Sequence, residues 1–109
     1  MFQKIINKEI PANIHYEDDL CMAFDDINPQ APVHILLIPK KEIPSHQEVE
    51  PGDQPLMGHL ILKAKEIALK AGLEKGWRLV VNTGSDGGQT VHHIHIHILG
   101  GRSMQWPPG

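Results

Sequence analysis

Closely spaced histidines are the residues of this sequence best suited to chemistry. Eight of the 109 residues are histidine, and His93, His95 and His97 alternate with apolar residues near the C-terminus. Successive side chains of a β-strand point to opposite faces, so a strand here would place these three imidazoles on one face. The other face would carry the isoleucines of the segment, Ile94, Ile96 and Ile98. Because an imidazole can act as nucleophile, general acid, general base or metal ligand, this segment predicts a chemical site.

Three interpretations of the histidine face are open on spacing alone. The first is a solvated polar face, although such faces usually mix several polar residue types. The second is a zinc site in which His93, His95 and His97 are the ligands and water takes the fourth position. The third is phosphate chemistry with an imidazole as the nucleophile.

The loop before the histidines favours phosphate chemistry. Gly87 and Gly88 permit a positive φ and a close backbone approach, so that successive N–H groups can point at an anion. Gln89 and Thr90 add side-chain donors, and Asn82 supplies another at the end of the preceding predicted strand. A glycine-rich loop that leads directly into alternating histidines is therefore interpreted as a phosphate site.

Length, charge and cysteine content exclude several classes of protein. A chain of 109 residues with a net charge of −3 is long enough for one domain and lacks the basic surface of a nucleic-acid-binding protein. No apolar run approaches the ~18 residues of a membrane helix, and the first residues lack the apolar stretch of a secretion signal. Cys21 is the single cysteine, which excludes an internal disulfide and fits a reducing compartment. We therefore expect a cytoplasmic protein with neither a nucleic-acid nor a membrane partner.

The apolar pattern predicts an α+β fold. Five strands are expected: two around a polar turn within residues 14–24, and one each over 33–38, 77–81 and 91–99. Short connections indicate that these strands form an antiparallel sheet, with one main helix packed across a face. Ser45 begins a capping-box pattern that predicts a short helical turn, Asp53 is the expected N-cap of the main helix, and Gly72 its C′ residue. The buried stripe of that helix consists of Leu56, Leu60, Ala64, Ile67 and Ala71.

The sequence resembles the histidine triad (HIT) superfamily. Residues 93–99 match its signature, in which three histidines alternate with apolar residues and a further apolar residue follows. The preceding Gly-Gly-Gln-Thr-Val, the following Gly-Gly-Arg and the terminal Trp-Pro-Pro-Gly are similar to the Hint branch, whose members are purine nucleoside phosphoramidases. The likeness covers nearly the whole chain, so it implies a single HIT domain over 1–109, with a HIT-like fold. It also implies a metal-independent hydrolase that needs no cofactor.

The resemblance implies a catalytic role for each histidine of the signature. His95, the middle one, would attack the α-phosphorus of an adenosine or guanosine 5′-phosphoramidate and expel the amine, and water would then release the nucleoside monophosphate. His97 would bind phosphate oxygens together with Asn82, Gln89, Thr90 and the backbone of Gly88. His93 would pair with His34 in an orienting and proton-relay layer behind the nucleophile. Thr90 would also lie near the leaving group.

The resemblance also implies a nucleoside site and a homodimer. Asp26 would accept hydrogen bonds from the ribose hydroxyls, and the base pocket would be lined by Phe2, Ile5, Ile10, Phe24 and Ile27. Trp106 would approach the site of the partner protomer in a dimer whose sheets continue across the interface. His15, His46 and His59 match no functional position and are interpreted as solvated, and His92 as a structural residue on the isoleucine side. A zinc-binding module and a nucleotide-binding interaction protein with incidental catalysis remain as alternatives.

Overall fold

A computed structural model describes residues 2–109 and contains two helices, five strands and two short 3-10 turns. In chain order these elements are α1 (Phe2–Ile6), β1 (Ile14–Glu17), β2 (Cys21–Asp25), β3 (Val33–Pro39), the turns His46–Glu48 and Pro51–Asp53, α2 (Gln54–Lys70), β4 (Trp77–Val80) and β5 (Ile96–Gly100).

The strands form one antiparallel sheet in the order β1-β2-β3-β5-β4. The predicted five-stranded sheet with one main helix and a short helical turn is therefore confirmed. Because β5 lies between β3 and β4, the histidine segment leads into the interior of the sheet, where neighbouring strands fix its backbone on both sides. Among the described residues, no helix has both the length and the apolar character needed to cross a membrane.

Helix α2 covers one face of the sheet, as the apolar stripe predicted. Its buried residues Leu60, Ala64 and Ile67 belong to one core cluster with Ile96 and Ile98, which confirms that the isoleucine side faces this helix. Leu56 and Ala71 are only partly buried, and Ala68 is buried in addition to the predicted stripe. Gly72 follows the helix with φ +86°, the left-handed conformation expected at C′.

A second cluster covers the opposite face of the sheet. Phe2 and Ile5 from α1 pack on apolar residues of β2 and β3, namely Met22, Phe24, Leu36 and Ile38. Helix α1 was not predicted, because its five residues are too few for a periodic pattern to be recognised. This helix forms one wall of the cavity described below.

One predicted element end is wrong, and a second is confirmed in position only. The last strand begins at Ile96 rather than at residue 91. Continuing its register with β3 would place Ile94 opposite Pro39, which has no N–H to donate, and the Ile94 N–H instead donates to the Ile43 carbonyl at 2.7 Å. Asp53 is the N-cap residue of α2, as predicted, but its side chain makes no capping hydrogen bond to that helix, because it accepts from the Glu50 N–H at 3.0 Å and pairs with Lys41.

Candidate active site

The three histidines of the signature lie on two kinds of backbone. His97 belongs to β5, where it is paired with Leu36 of β3 on the face that α1 covers. His93 and His95 lie in the irregular segment that precedes β5, so their positions are not set by the ladder of the sheet. Both are buried, with exposed fractions of 6% and 7%, and the segment must therefore be held by other contacts.

His95 has one ring nitrogen engaged and one left available. Its Nδ1 lies 2.8 Å from the backbone oxygen of His93, and a carbonyl only accepts, so Nδ1 carries the proton. In its neutral form the ring therefore presents the lone pair of Nε2. The ring edge packs against Phe2, with ring centroids 5.3 Å apart.

His34 forms a hydrogen-bonded chain with His97, and the prediction that it pairs with His93 is wrong. The Gln30 N–H donates to Nδ1 of His34 at 3.0 Å, so the proton of neutral His34 is on Nε2. That Nε2–H donates to Nδ1 of His97 at 2.8 Å and leaves the Nε2–H of His97 as a free donor. The β3–β5 register explains the pairing, because it places His34 diagonally across from His97 on the same face.

His93 instead supports the backbone behind His95. Its Nε2–H donates to the Pro39 carbonyl at 2.8 Å, while its own carbonyl accepts from His95. His93 thereby connects the end of β3 to His95, which is an orienting contact, although it does not act through His34.

Burial keeps the two linked imidazoles neutral. The pKa of His97 is lowered to about 4, chiefly by burial and also by the neighbouring His95 and His34, while Asp26 opposes the shift. The pKa of His34 is also lowered by burial and is opposed by Asp26, whose Oδ2 lies 3.4 Å from Nε2 of His34. At neutral pH His97 is therefore a neutral hydrogen-bond donor, and its ring centroid lies 5.0 Å from that of His95.

A cavity of about 910 Å³ opens in front of His34, His95 and His97. This volume lies within the range of small-molecule sites, roughly 300–1,000 Å³. Asp26 and Thr90 line this cavity. The five predicted base-pocket residues line it as well, namely Phe2, Ile5, Ile10, Phe24 and Ile27. The wall also contains Asn13, Asp25 and Leu36, which were not predicted because no local motif marks them.

The predicted phosphate loop lies between β4 and the histidine segment. Gly88 has φ +77°, as predicted, and a Cβ at Gly87 would lie 2.3 Å from the Thr83 carbonyl oxygen. Asn82 donates from Nδ2 to the Gly87 carbonyl at 2.7 Å, so its side chain shapes the loop. Of the predicted phosphate donors in this loop, Thr90 is a wall residue of the cavity, whereas Asn82, Gly88 and Gln89 are not.

Trp106 and the four remaining histidines lie outside this cavity. Trp106 is 83% exposed. His46 is exposed as predicted, and His92 is also exposed rather than on the isoleucine side. His15 and His59 each pair with a carboxylate, at 2.6 Å from Asp25 and 2.7 Å from Asp18.

The structure does not gather the three signature histidines into one metal site. Within residues 2–109, the groups whose ligand atoms lie within 4.8 Å of one another are Asp26 with His34 and His97, and Asp18 with Cys21 and His59. His93 and His95 each have a ring nitrogen bonded to a backbone carbonyl. The zinc alternative that used all three histidines therefore loses its geometric basis.

Comparison with known proteins identifies the family. The HIT domain model matches residues 7–104, nearly the whole chain. The chain belongs to the HIT domain family. An uncharacterised HIT-like protein of Synechocystis is 61% identical over 109 residues, which are all of this chain and 96% of that protein.

Solved HIT structures share both the fold and the sequence. A HIT family hydrolase from Legionella pneumophila is 51% identical, with a TM-score of 0.97 over 100% of this chain and 98% of that one. A histidine triad protein from Clostridium difficile is 43% identical, with a TM-score of 0.91 over 95% and 91% of the two chains. A histidine triad nucleotide-binding protein from Candida albicans is 26% identical, with a TM-score of 0.82 over 97% and 81%. The chain thus has the HIT fold of family hydrolases.

Proposed function

We propose that this protein is a nucleotide-binding hydrolase of the Hint type, which cleaves the P–N bond of purine nucleoside 5′-phosphoramidates. The observation that carries the proposal is the pairing of a fixed lone pair on His95 Nε2 with a fixed donor on His97 Nε2, at the wall of one cavity. A phosphorus atom between them would meet a nucleophile on one side and a donor for its oxygens on the other.

The reaction proceeds in two displacements. In the first, Nε2 of His95 forms a bond to the α-phosphorus, the P–N bond of the substrate breaks, and the amine leaves with the electron pair and takes up a proton from solvent. In the second, a water oxygen forms the new bond to phosphorus and loses a proton to solvent, the electron pair of the bond to His95 returns to Nε2, and the nucleoside monophosphate is released. His97 stabilises the phosphate oxygens in both steps through its Nε2–H.

The remaining wall residues bind the nucleoside. The apolar part of the wall offers a contact surface for a purine, and the neighbouring carboxylate of Asp26 is the acceptor for ribose hydroxyls. Asp26 Oδ1 already accepts from the Asn28 N–H at 2.8 Å, which fixes the orientation of that carboxylate. Thr90, also in the wall, would lie near the leaving group. The nucleotide-binding relative from Candida albicans supports a nucleotide as the ligand.

The exposed apolar surface supports a homodimer. Strand β4 is an edge of the sheet, and Ile61, Leu62 and Leu69 of α2 and the tail residue Trp106 are 44–83% exposed. Pairing of two β4 edges would cover both the unpaired backbone groups and part of this surface. Sedimentation velocity tests this assembly.

The lone buried Cys21 supports a cytoplasmic location.

The decisive experiment is hydrolysis of adenosine 5′-phosphoramidate in the presence of EDTA. The wild-type protein should release AMP, and His95→Ala should lose several orders of magnitude in rate, since each 1.36 kcal/mol of barrier is about tenfold. His92→Ala, at an exposed neighbouring histidine, is the matched control and should retain the wild-type rate. Equal rates for wild type and His95→Ala would refute the proposal. Tight AMP binding with no turnover of phosphoramidates or dinucleoside polyphosphates would favour the interaction-protein alternative.

A further inference from the structure

The segment that carries the nucleophile is held from outside the sheet. Residues 91–95 precede β5, and the Ile94 N–H donates not to a strand but to the Ile43 carbonyl, in the connection after β3. His93 makes a second contact nearby, since its ring nitrogen donates to the carbonyl of Pro39, the last residue of β3. The position of His95 therefore depends on how firmly residues 91–95 are joined to residues 39–45.

The side chain of Gln89 makes a third connection between these segments. Its Oε1 accepts from the Gly84 N–H at 3.1 Å, which closes the loop on itself. Its Nε2 donates to the Pro44 carbonyl at 2.8 Å and to the Val91 carbonyl at 2.9 Å. A side-chain amide has two N–H donors, and both are used here. Gln89 thus has no donor left for a phosphate, contrary to the role that the sequence suggested.

We infer that Gln89 is a positioning residue that fixes the nucleophile segment against residues 39–45. One N–H holds Val91 at the start of the segment, and the other holds Pro44 next to the residue that accepts from Ile94. The inference rests on the proposed function insofar as it concerns turnover. Its structural part, the anchoring of residues 91–95, stands independently of which reaction the site performs.

Two substitutions separate the contacts of Gln89. Gln89→Met retains much of the side-chain length and removes all three hydrogen bonds. Gln89→Glu retains the acceptor for Gly84 but places carboxylate oxygens against the Pro44 and Val91 carbonyls, so it breaks only the two bonds that hold the nucleophile segment. Both variants should therefore behave alike, and Gln89→Glu serves as the test if Gln89→Met does not fold.

The first readout is independent of catalysis. Amide hydrogen exchange at Ile94 should accelerate at least about tenfold in both variants, because local opening of residues 91–95 becomes easier. Asp86→Asn is the matched control, since Asp86 is exposed in the same loop and its side chain makes no hydrogen bond within residues 2–109. Ala64→Gly, in α2 and remote from the loop, controls for general destabilisation. Unchanged exchange at Ile94 in both Gln89 variants would overturn the inference.

The second readout separates positioning from phosphate binding. Displacement of a nucleophile by about 1 Å can cost 100-fold in rate, so kcat for adenosine 5′-phosphoramidate should fall about 10- to 100-fold while the Kd for AMP changes less than about threefold. A Kd for AMP that rises in parallel with the loss of kcat/KM would show that Gln89 binds phosphate directly, and would overturn the inference. If the wild-type protein does not hydrolyse the substrate, the proposed function fails, while the exchange measurement still decides the role of Gln89.

Discussion

The lowered pKa of His97 makes the stability of the folded protein depend on pH. An ordinary histidine has a pKa of 6.5, and burial lowers that of His97 to about 4. Between these two values the unfolded chain binds a proton at this residue and the folded chain does not. The free energy of unfolding therefore falls as the pH falls from 6.5 through 4, and this contribution is fully present only above the unfolded pKa.

The size of the effect follows from the shift. About 2.5 pH units at 1.36 kcal/mol each correspond to about 3 kcal/mol, of which about 2 kcal/mol is lost between pH 7 and pH 4.5. His97→Gln removes the titrating group and retains an amide that can accept from His34. Between pH 7 and pH 4.5 the free energy of unfolding of this variant should therefore fall by about 2 kcal/mol less than that of the wild-type protein. His34 and the carboxylates titrate in both proteins and contribute to both curves.

Urea unfolding at the two pH values, followed by tryptophan fluorescence, measures this difference. His92→Gln is the control, because His92 is exposed and its loss should leave the pH dependence of the wild-type protein in place. If wild type and His97→Gln lose equal stability on acidification, burial does not hold His97 neutral. The neutral donor in the proposed mechanism would then be wrong as well.

Two further predictions concern residues away from the histidines. The pKa of the buried Cys21 thiol is raised to about 12, so its reaction with a disulfide reagent should be at least about 1,000-fold slower in native than in urea-unfolded protein, and equal rates would contradict its burial. Gly87→Ala should lower the free energy of unfolding by about 1–3 kcal/mol, because the new Cβ meets the Thr83 carbonyl. Gly58→Ala in α2, where no atom lies within 4 Å of the new Cβ, should instead raise the free energy of unfolding by up to about 1 kcal/mol. Thermal melts measure both variants, and melting temperatures that shift in the same direction would contradict this prediction.

The spacing of residues along the chain was sufficient to predict the main helix and strands. It was also sufficient to predict which residues of the histidine segment face the helix. The alternation of histidine and isoleucine placed Ile96 and Ile98 on the helix side, because side chains of a strand alternate between faces. The same reasoning located α2 and the left-handed Gly72 that follows it. These features are determined by residues that are close together along the chain, so the sequence alone is enough to predict them.

The partner of His34 and one partner of Gln89 depended on contacts that are remote in sequence. Whether His34 meets His93 or His97 was decided by the register of β3 against β5, and the length of β5 by the absence of an N–H at Pro39.

The sequence by itself thus determined that three imidazoles follow a glycine-rich loop within an α+β fold, because composition and period are local properties. Only the tertiary structure decided which nitrogen of His95 is free, that His97 is a neutral donor and that the amide of Gln89 is fully used. The physical reason is that a hydrogen bond requires atoms within about 3 Å. His34 and His97 are 63 residues apart along the chain, and Gln89 and Pro44 are 45 apart. The bond between His95 and the nearby His93 carbonyl depends on the irregular backbone that precedes β5.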